Sequence, residues 1–443
     1  MKRVTFEKIL GFGKEMLQLV DADDSGYNSR PAPGKDDGTR SRRFNYVDHK
    51  LLHSLSSPAS YTAFTKKFEE NLYDWTDRCD ITDEWTSFPD LYLFIRDAIF
   101  AVGTDAFFGP HLLAKNPGLA ENFWTFNNNV PNFAKGVPAL LNRQPVKARK
   151  NCIQAIVNWK ASALKNDVDL ASLPEWDHRS GMKFNILRKQ AFNEFKELDE
   201  VACATADFGF LFGLNSNSPP ATFWMMLEIL QAPELSNQLS QEIASARIQS
   251  DSSSPRFDTK KLLESSLLHS VYAETLRLYT AIMYLRKTRQ EMEVGGWPIP
   301  KDQDLVVCSY SQHMNAQLWN PTGDPNYPSL ETFWGHRFVI NHESNTDDNV
   351  PIDDKTCLGD RPSKPPMQGL GQRWLPFGLG ETMCPGRHIV KFEIVLSYAI
   401  LNSIFEIEVL KPTGWRPEMD MSSFGYGTMA PKSQTPFRIR RRA

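Results

Sequence analysis

The six cysteines of this 443-residue chain include no Cys-x-x-Cys pair. That argues against a structural zinc site and against a disulfide framework. They stand at 79, 152, 203, 308, 357 and 384 and read as reduced thiols of a cytosol-facing protein. A basic excess is missing too. The formal net charge is -3, so nothing here would neutralise a row of phosphates, and nucleic-acid binding is not expected. No stretch approaches the roughly 20 consecutive apolar residues of a membrane span. The opening MKRVTFEKILGFGKEMLQLV lacks the apolar core and small-residue cleavage site of a signal peptide. There is no Gly-x-Ser-x-Gly elbow for a serine hydrolase. His49 and His53 have zinc-binding spacing, but neither an HExxH glutamate nor a third ligand accompanies them.

What is present is an ordinary globular composition, 41% hydrophobic and 23% charged, ample for a large core. Residues 21–43 are rich in Asp, Gly, Pro, Ser and Arg and read as a long loop. Helical periodicity then dominates from Lys50 to about Ala246, with segments at 63–75, 88–101, 146–164 and 184–212. A further amphipathic helix is predicted over 262–278, and a last long one from about Pro385 to Phe405. Between them, Gly295-Gly296 flanked by β-branched residues predicts a hairpin. Residues 341–371 are polar and aperiodic and read as a solvated insertion. The whole is mainly α with a small β portion; its length suits two or three domains, though large single-domain enzymes also reach it.

The most informative segment is WLPFGLGETMCPGR, residues 374–387. Cys384 precedes the last predicted helix, with Pro385, a favoured first-turn residue, directly after it. A helix N-terminus turns unpaired N–H groups and positive potential toward the residue before it, which lowers a thiol's pKa. Gly378, Gly380 and Gly386 let backbone approach a flat cofactor. Phe377 is placed to cover the sulfur and keep water away. An inert buried cysteine is the bland alternative. The spacing F-x-x-G-x-x-x-C-x-G should arise by chance in roughly one chain in a thousand of this length.

This segment resembles the haem-binding loop of the cytochrome P450 family. The resemblance implies a P450 fold, with Cys384 as the axial ligand of heme b and Phe377, Gly378 and Gly386 beside it. It departs from the family at Thr382, where a propionate-binding base is usual. Two further elements fall where the family would put them. Glu274 and Arg277 lie one helical turn apart and can pair; with Arg337 in FWGHRF they match the family's structural trio. Arg286 matches a propionate-binding position, the alternative being an exposed strand-edge arginine. His49 is a second propionate candidate on an early helix.

The segment LFGLNSNSPPATFW, residues 211–224, lies where the family's central helix crosses the haem. Pro219 and Pro220 would leave the carbonyls of Asn215 and Ser216 without partners and open a polar notch. Alternatively Ser218 caps a new helix and no notch exists. Asn217 and Ser218 replace the family's usual acid–alcohol pair and are the catalytic candidates for proton delivery. Their pattern resembles the branch of sterol 7α- and 12α-hydroxylases and prostacyclin synthase.

The resemblance implies a monooxygenase that hydroxylates a lipophilic small molecule, a sterol, terpenoid or other secondary metabolite. Its electrons would come from NADPH through a cytochrome P450 reductase. Arg373, Arg387 and Lys391 are candidates to face an acidic reductase, ordinary solvated charge being the alternative. That branch also contains an isomerase, so a haem-thiolate isomerase or dehydratase of a peroxide stays open. A truncated, non-catalytic haem-binding chain stays open as well: against the family, several dozen residues of the usual N-terminal part, with its anchor and first sheet strands, are expected to be missing, whether as a natural short form, a fragment or an imperfect gene model. The family location is the endoplasmic reticulum membrane; without an anchor in this chain, peripheral contact or a cytosolic location is expected.

Overall fold

The computed structural model describes residues 3–26, 28, 30–35, 43–164, 169, 172–249, 254–339, 373–380 and 383–442. The expected insertion at 341–371 and Thr382 lie outside the described residues. Two segments are apolar on nearly every face, and both become central helices. The first, α2 (Leu91–Phe108), starts where the Asp90 carboxylate accepts the Tyr92 N–H at 3.0 Å and stops at Gly109. It packs on α1 (Pro58–Arg78), whose first turn is capped by Ser57 and carries Pro58 at its start.

The 184–212 pattern, expected as one helix, forms two: Lys183–Phe192 and α3 (Glu200–Asn215). The Asp199 side chain accepts the Ala202 N–H at 2.7 Å, and that cap starts a new helix in place of continuing the old one. The 262–278 pattern also splits, into Thr259–Glu264 and α5 (Ser266–Tyr279). Here the cause is tertiary. Glu242, from the helix Pro233–Ser245, accepts the N–H groups of Leu267 and Leu268 at 3.1 and 3.0 Å.

Between α3 and α4 (Ser218–Leu230) the chain breaks at Ser216 and Asn217. Both prolines fall in the first turn of α4, where the missing N–H groups would be unpaired anyway. The first backbone bond of α4 runs from Ala221 N–H to Asn217 O at 3.2 Å. The helix therefore restarts rather than kinks, and Asn217, not Ser218, is its N-cap residue. α4 is buried between α2, α5 and α6 (Arg387–Ile404). Its Trp224 stacks on Tyr279, ring centroids 4.0 Å apart, and donates to the Met429 carbonyl at 2.7 Å.

Two small antiparallel sheets flank the helices. In one, β6 (Phe437–Arg441) lies between β1 (Thr86–Phe88) and β4 (Phe405–Val409). In the other, β2 (Thr280–Lys287) pairs through its first three residues with β5 (Tyr426–Thr428) and through its last five with β3 (Asp304–Cys308). The expected hairpin is present, with Met292–Val294 paired to Trp297–Ile299 around Gly295 and Gly296, both at positive φ.

β5 is fastened to the helix break. Thr428 N–H donates to Asn217 Oδ1 at 2.9 Å, and a Cβ on Gly427 (φ 145°) would lie 2.0 Å from that oxygen. Gly427→Ala should therefore lower stability by roughly 1–3 kcal/mol, read as a shift in the urea midpoint. Adding Asn217→Ala should recover only part of the loss, because it removes the clash but not the backbone strain.

Candidate active site

The buried carboxylate of Glu274 organises the base of the site. Arg277, one turn on, donates Nε and Nη2 to it at 2.7 and 2.9 Å. Arg337 Nε lies 2.9 and 3.0 Å from its two oxygens, and Trp334 N–H donates at 3.0 Å. All three charged side chains are sealed from solvent. One carboxylate against two guanidiniums leaves an excess positive charge. Carbonyl oxygens absorb it: His313 and Leu330 accept from Arg277, while Ser329 and Thr332 accept from Arg337.

This cluster reaches the cysteine loop through His313. The imidazole is fully buried, and burial together with the Arg277 charge holds its pKa down to about 4. It is therefore neutral, and its Nε2 accepts the Leu375 N–H at 2.9 Å. Two more bonds hold the same loop. Trp374 Nε1 donates to the Ala273 carbonyl at 3.0 Å, and Tyr284 OH to the Leu375 carbonyl at 2.6 Å.

Within the loop, Cys384 N–H donates to Phe377 O at 2.8 Å and Met383 N–H to Gly380 O at 3.0 Å. Gly378 and Gly380 adopt φ of 93° and 66°, which a side-chain-bearing residue would resist. Phe377 rests edge-on against Trp374, centroids 5.9 Å apart. α6 begins at Arg387 with Gly386 as its cap residue, so Pro385 lies in the turn before it rather than in its first turn. A Cβ on Gly386 would meet the Cys384 sulfur at 3.7 Å, ordinary contact.

The helix start alone does not make Cys384 a thiolate. Burial raises its pKa, and the N–H groups of Gly386 and Arg387 with the Arg387 charge offset this only in part. The expectation of a thiolate set by the helix start is corrected accordingly. A cation coordinated to the sulfur would supply the missing stabilisation, since metal binding deprotonates a thiol outright.

Arg286 is exposed on β2, its Nη1 bonded to Leu285 O at 3.0 Å. It shares a strand face with Tyr284, the residue that reaches the cysteine loop. Asn217 is engaged with Thr428 and donates to Ser216 Oγ at 2.9 Å, while Ser218 Oγ donates to Leu214 O at 3.1 Å. Ser218 is 1% exposed, and the helix that carries it packs along α6. Of the three basic residues singled out near the loop, Arg373 is exposed and Arg387 folds onto the Cys384 carbonyl. Lys391 donates to Leu263 O at 2.8 Å, and burial lowers its pKa to about 8. Sequence reasoning missed Tyr284, His313 and Trp374. A lone His, Tyr or Trp in an aperiodic stretch carries no pattern that marks it.

The family model described as Cytochrome P450 matches residues 111–436. Cytochrome P450 monooxygenase fsoE of Humicola fuscoatra is 35% identical over 369 residues, 81% of this chain. The chain spans 63% of that relative's length. Cholesterol 7-alpha-monooxygenase of Cricetulus griseus is 23% identical across 81% of this chain and 67% of its own. That similarity agrees with the branch expected from the Asn-Ser-Pro-Pro run. Among solved structures, retinoic acid bound cyanobacterial CYP120A1 superposes with a TM-score of 0.64 at 17% identity, covering 90% of this chain and 79% of its own.

The His313 contact makes a pH prediction. In the unfolded chain an imidazole titrates near 6.5, in the fold near 4. Below pH 6.5 the unfolded state binds the extra proton. Stability is then complete above about pH 6.5 and falls toward pH 4 by about 1.4 kcal/mol per unit for this group. Buried His269, lowered to about 3, acts in the same direction. His313→Gln, which retains an acceptor, should flatten the slope of unfolding free energy against pH in that window.

Proposed function

Since the chain belongs to the cytochrome P450 family, we propose that it is a haem-thiolate monooxygenase hydroxylating a lipophilic small molecule. The observation that carries this reading is Cys384 itself: a half-buried thiol in a glycine-shaped loop, fastened through Leu375 and His313 to the Glu274 cluster. Among the described residues no three His, Cys, Asp or Glu side chains gather to hold a metal ion. A lone thiol fits a metal that brings its other ligands with it, as heme b does. Cys384 would supply the axial sulfur, Phe377, Gly378 and Gly386 the close backbone and ring contacts, and Arg286 a propionate contact. When bound, haem supplies oxygen insertion from dioxygen with electrons delivered from NADPH by a reductase.

The protein's own contributions follow from the geometry. Arg387 and the first N–H groups of α6 stabilise negative charge on the sulfur. Glu274, Arg277 and Arg337 keep the loop from shifting. Ser218 holds its hydroxyl proton on the Leu214 carbonyl at the helix break, the position proposed for proton delivery. Asn217, bonded to Thr428, ties β5 to that break and so acts by holding position. The single P450 domain of residues 1–443 belongs to the same reading.

Similarity to a cholesterol 7-alpha-monooxygenase supports a sterol, terpenoid or similar lipid as substrate. The partner is an NADPH-cytochrome P450 reductase, approached with exposed Arg373 near the cysteine loop. Among the described residues no helix is long and apolar enough to cross a membrane. Contact with the endoplasmic reticulum membrane is proposed from the family resemblance.

The reduced, carbon-monoxide-bound spectrum of the haem-loaded protein should show the red-shifted band of a thiolate ligand. Cys384→Ala should abolish that band; a band that survives the substitution would overturn the assignment. With a reductase present, Ser218→Ala should lower product formed per NADPH by roughly tenfold or more and release peroxide instead. Turnover of a hydroperoxide with neither reductase nor NADPH would point to an isomerase or dehydratase.

A further inference from the structure

The helix Arg143–Ala163 begins against the usual charge rule. A helix N-terminus carries positive potential and favours acidic side chains in its first turn. This helix has no Asp or Glu in any of its 21 residues, and Arg143, Lys147, Arg149 and Lys150 crowd its opening turns. Arg149 is engaged, donating to the carbonyls of Lys8 and Ile9 at 2.8 and 2.9 Å. Arg143, Lys147 and Lys150 are exposed.

The helix start is also short of acceptors. Asn142 stands at the cap position, yet its side chain makes no capping bond. The first helical bond runs from Val146 N–H to Asn142 O at 3.1 Å. The N–H groups of Arg143 and Gln144 come before it and have no acceptor within the helix.

These residues wall one side of a cleft of about 410 Å³, and the segment 125–132 walls another; no Asp or Glu lines it. Asn129 Nδ2 donates to Thr125 O at 2.9 Å and Asn132 Nδ2 to Asn129 Oδ1 at 3.0 Å, so those amides are satisfied locally. Asn142 is not. It lines the same cleft, is 4% exposed, and its Nδ2 has no hydrogen-bond partner. A buried amide donor left this way is costly and calls for an acceptor.

We propose that this cleft binds a phosphate group, with Arg143, Asn142 Nδ2 and the first N–H groups of the helix as its donors. A phosphate monoester carries about two negative charges near pH 7, which suits the surplus of cations better than a single carboxylate. Leu140 and Leu141, both exposed beside the cleft, suit an organic body attached to that phosphate, either a soluble ester or a lipid headgroup. None of these residues belongs to the cysteine loop or the helix break, so the inference is independent of the proposed monooxygenase activity.

Inorganic phosphate titrated calorimetrically into the haem-loaded protein in chloride buffer should give saturable heat. Arg143→Glu, at an exposed position, should weaken binding roughly tenfold or more. Asn142→Ala, which loses no capping bond, should weaken it about threefold; if that variant does not fold, Arg143→Glu decides. Lys150→Glu makes the same charge change on the same helix outside the cleft and should leave most of the affinity. Absence of saturable heat, equal affinity in wild type and Arg143→Glu, or equal losses in Arg143→Glu and Lys150→Glu would each overturn the proposal. Vesicles of phosphatidic acid and phosphatidylcholine in equal parts then identify the source. Sedimentation with wild type but not with Arg143→Glu assigns a lipid headgroup, and sedimentation with both or neither assigns a soluble ester.

Discussion

A carboxylate shared by two arginines in a sealed interior is the constraint on which the rest of this structure turns. Glu274 cannot be left with one partner or with none, because a buried charge without compensation costs several kcal/mol. Satisfying it brings α5, the segment around Ser329 to Arg337 and the carbonyl of His313 to one point. Since His313 also accepts from Leu375, and Trp374 bonds α5 directly, the cysteine loop takes its position from this same cluster. The iron-side geometry proposed for Cys384 thus rests on an electrostatic knot with no direct part in the chemistry.

A second organising feature is the break between α3 and α4. Two consecutive prolines inside a helix would cost about 3 kcal/mol each, and the fold avoids that by ending one helix and starting another. Asn215, Asn217 and Ser218 flank the break. Each is bonded elsewhere: Asn215 to Thr104, Asn217 to β5, Ser218 to Leu214. The polar side chains therefore define the shape of the break rather than decorate it. Glu393, buried on α6, lies beside Gly103 as Asn215 does, and the cysteine helix packs along the broken one.

The electrostatics of the thiol show why a local motif is an incomplete guide. A helix start and Arg387 both favour negative charge on Cys384, yet burial opposes it and prevails in the protein alone. Under the proposed function, a cation bound to the sulfur would supply the stabilisation that the helix start lacks.

Sequence by itself determined the features that depend on residues close together in the chain. The spacing of Phe377, Gly380, Cys384 and Gly386, the Glu274–Arg277 pair, the Gly-Gly hairpin and the long apolar helices are all local, and periodicity or motif spacing exposes them. Tertiary structure decided what depends on distant partners. Glu242 splits a predicted helix by capping Leu267 and Leu268 from another element. His313 and Tyr284 reach the cysteine loop across 62 and 91 positions. Asn217 accepts from Thr428 across 211 positions. Such contacts leave no trace in a single sequence, because the energy that selects them comes from burial and hydrogen bonding between segments that the chain order does not relate.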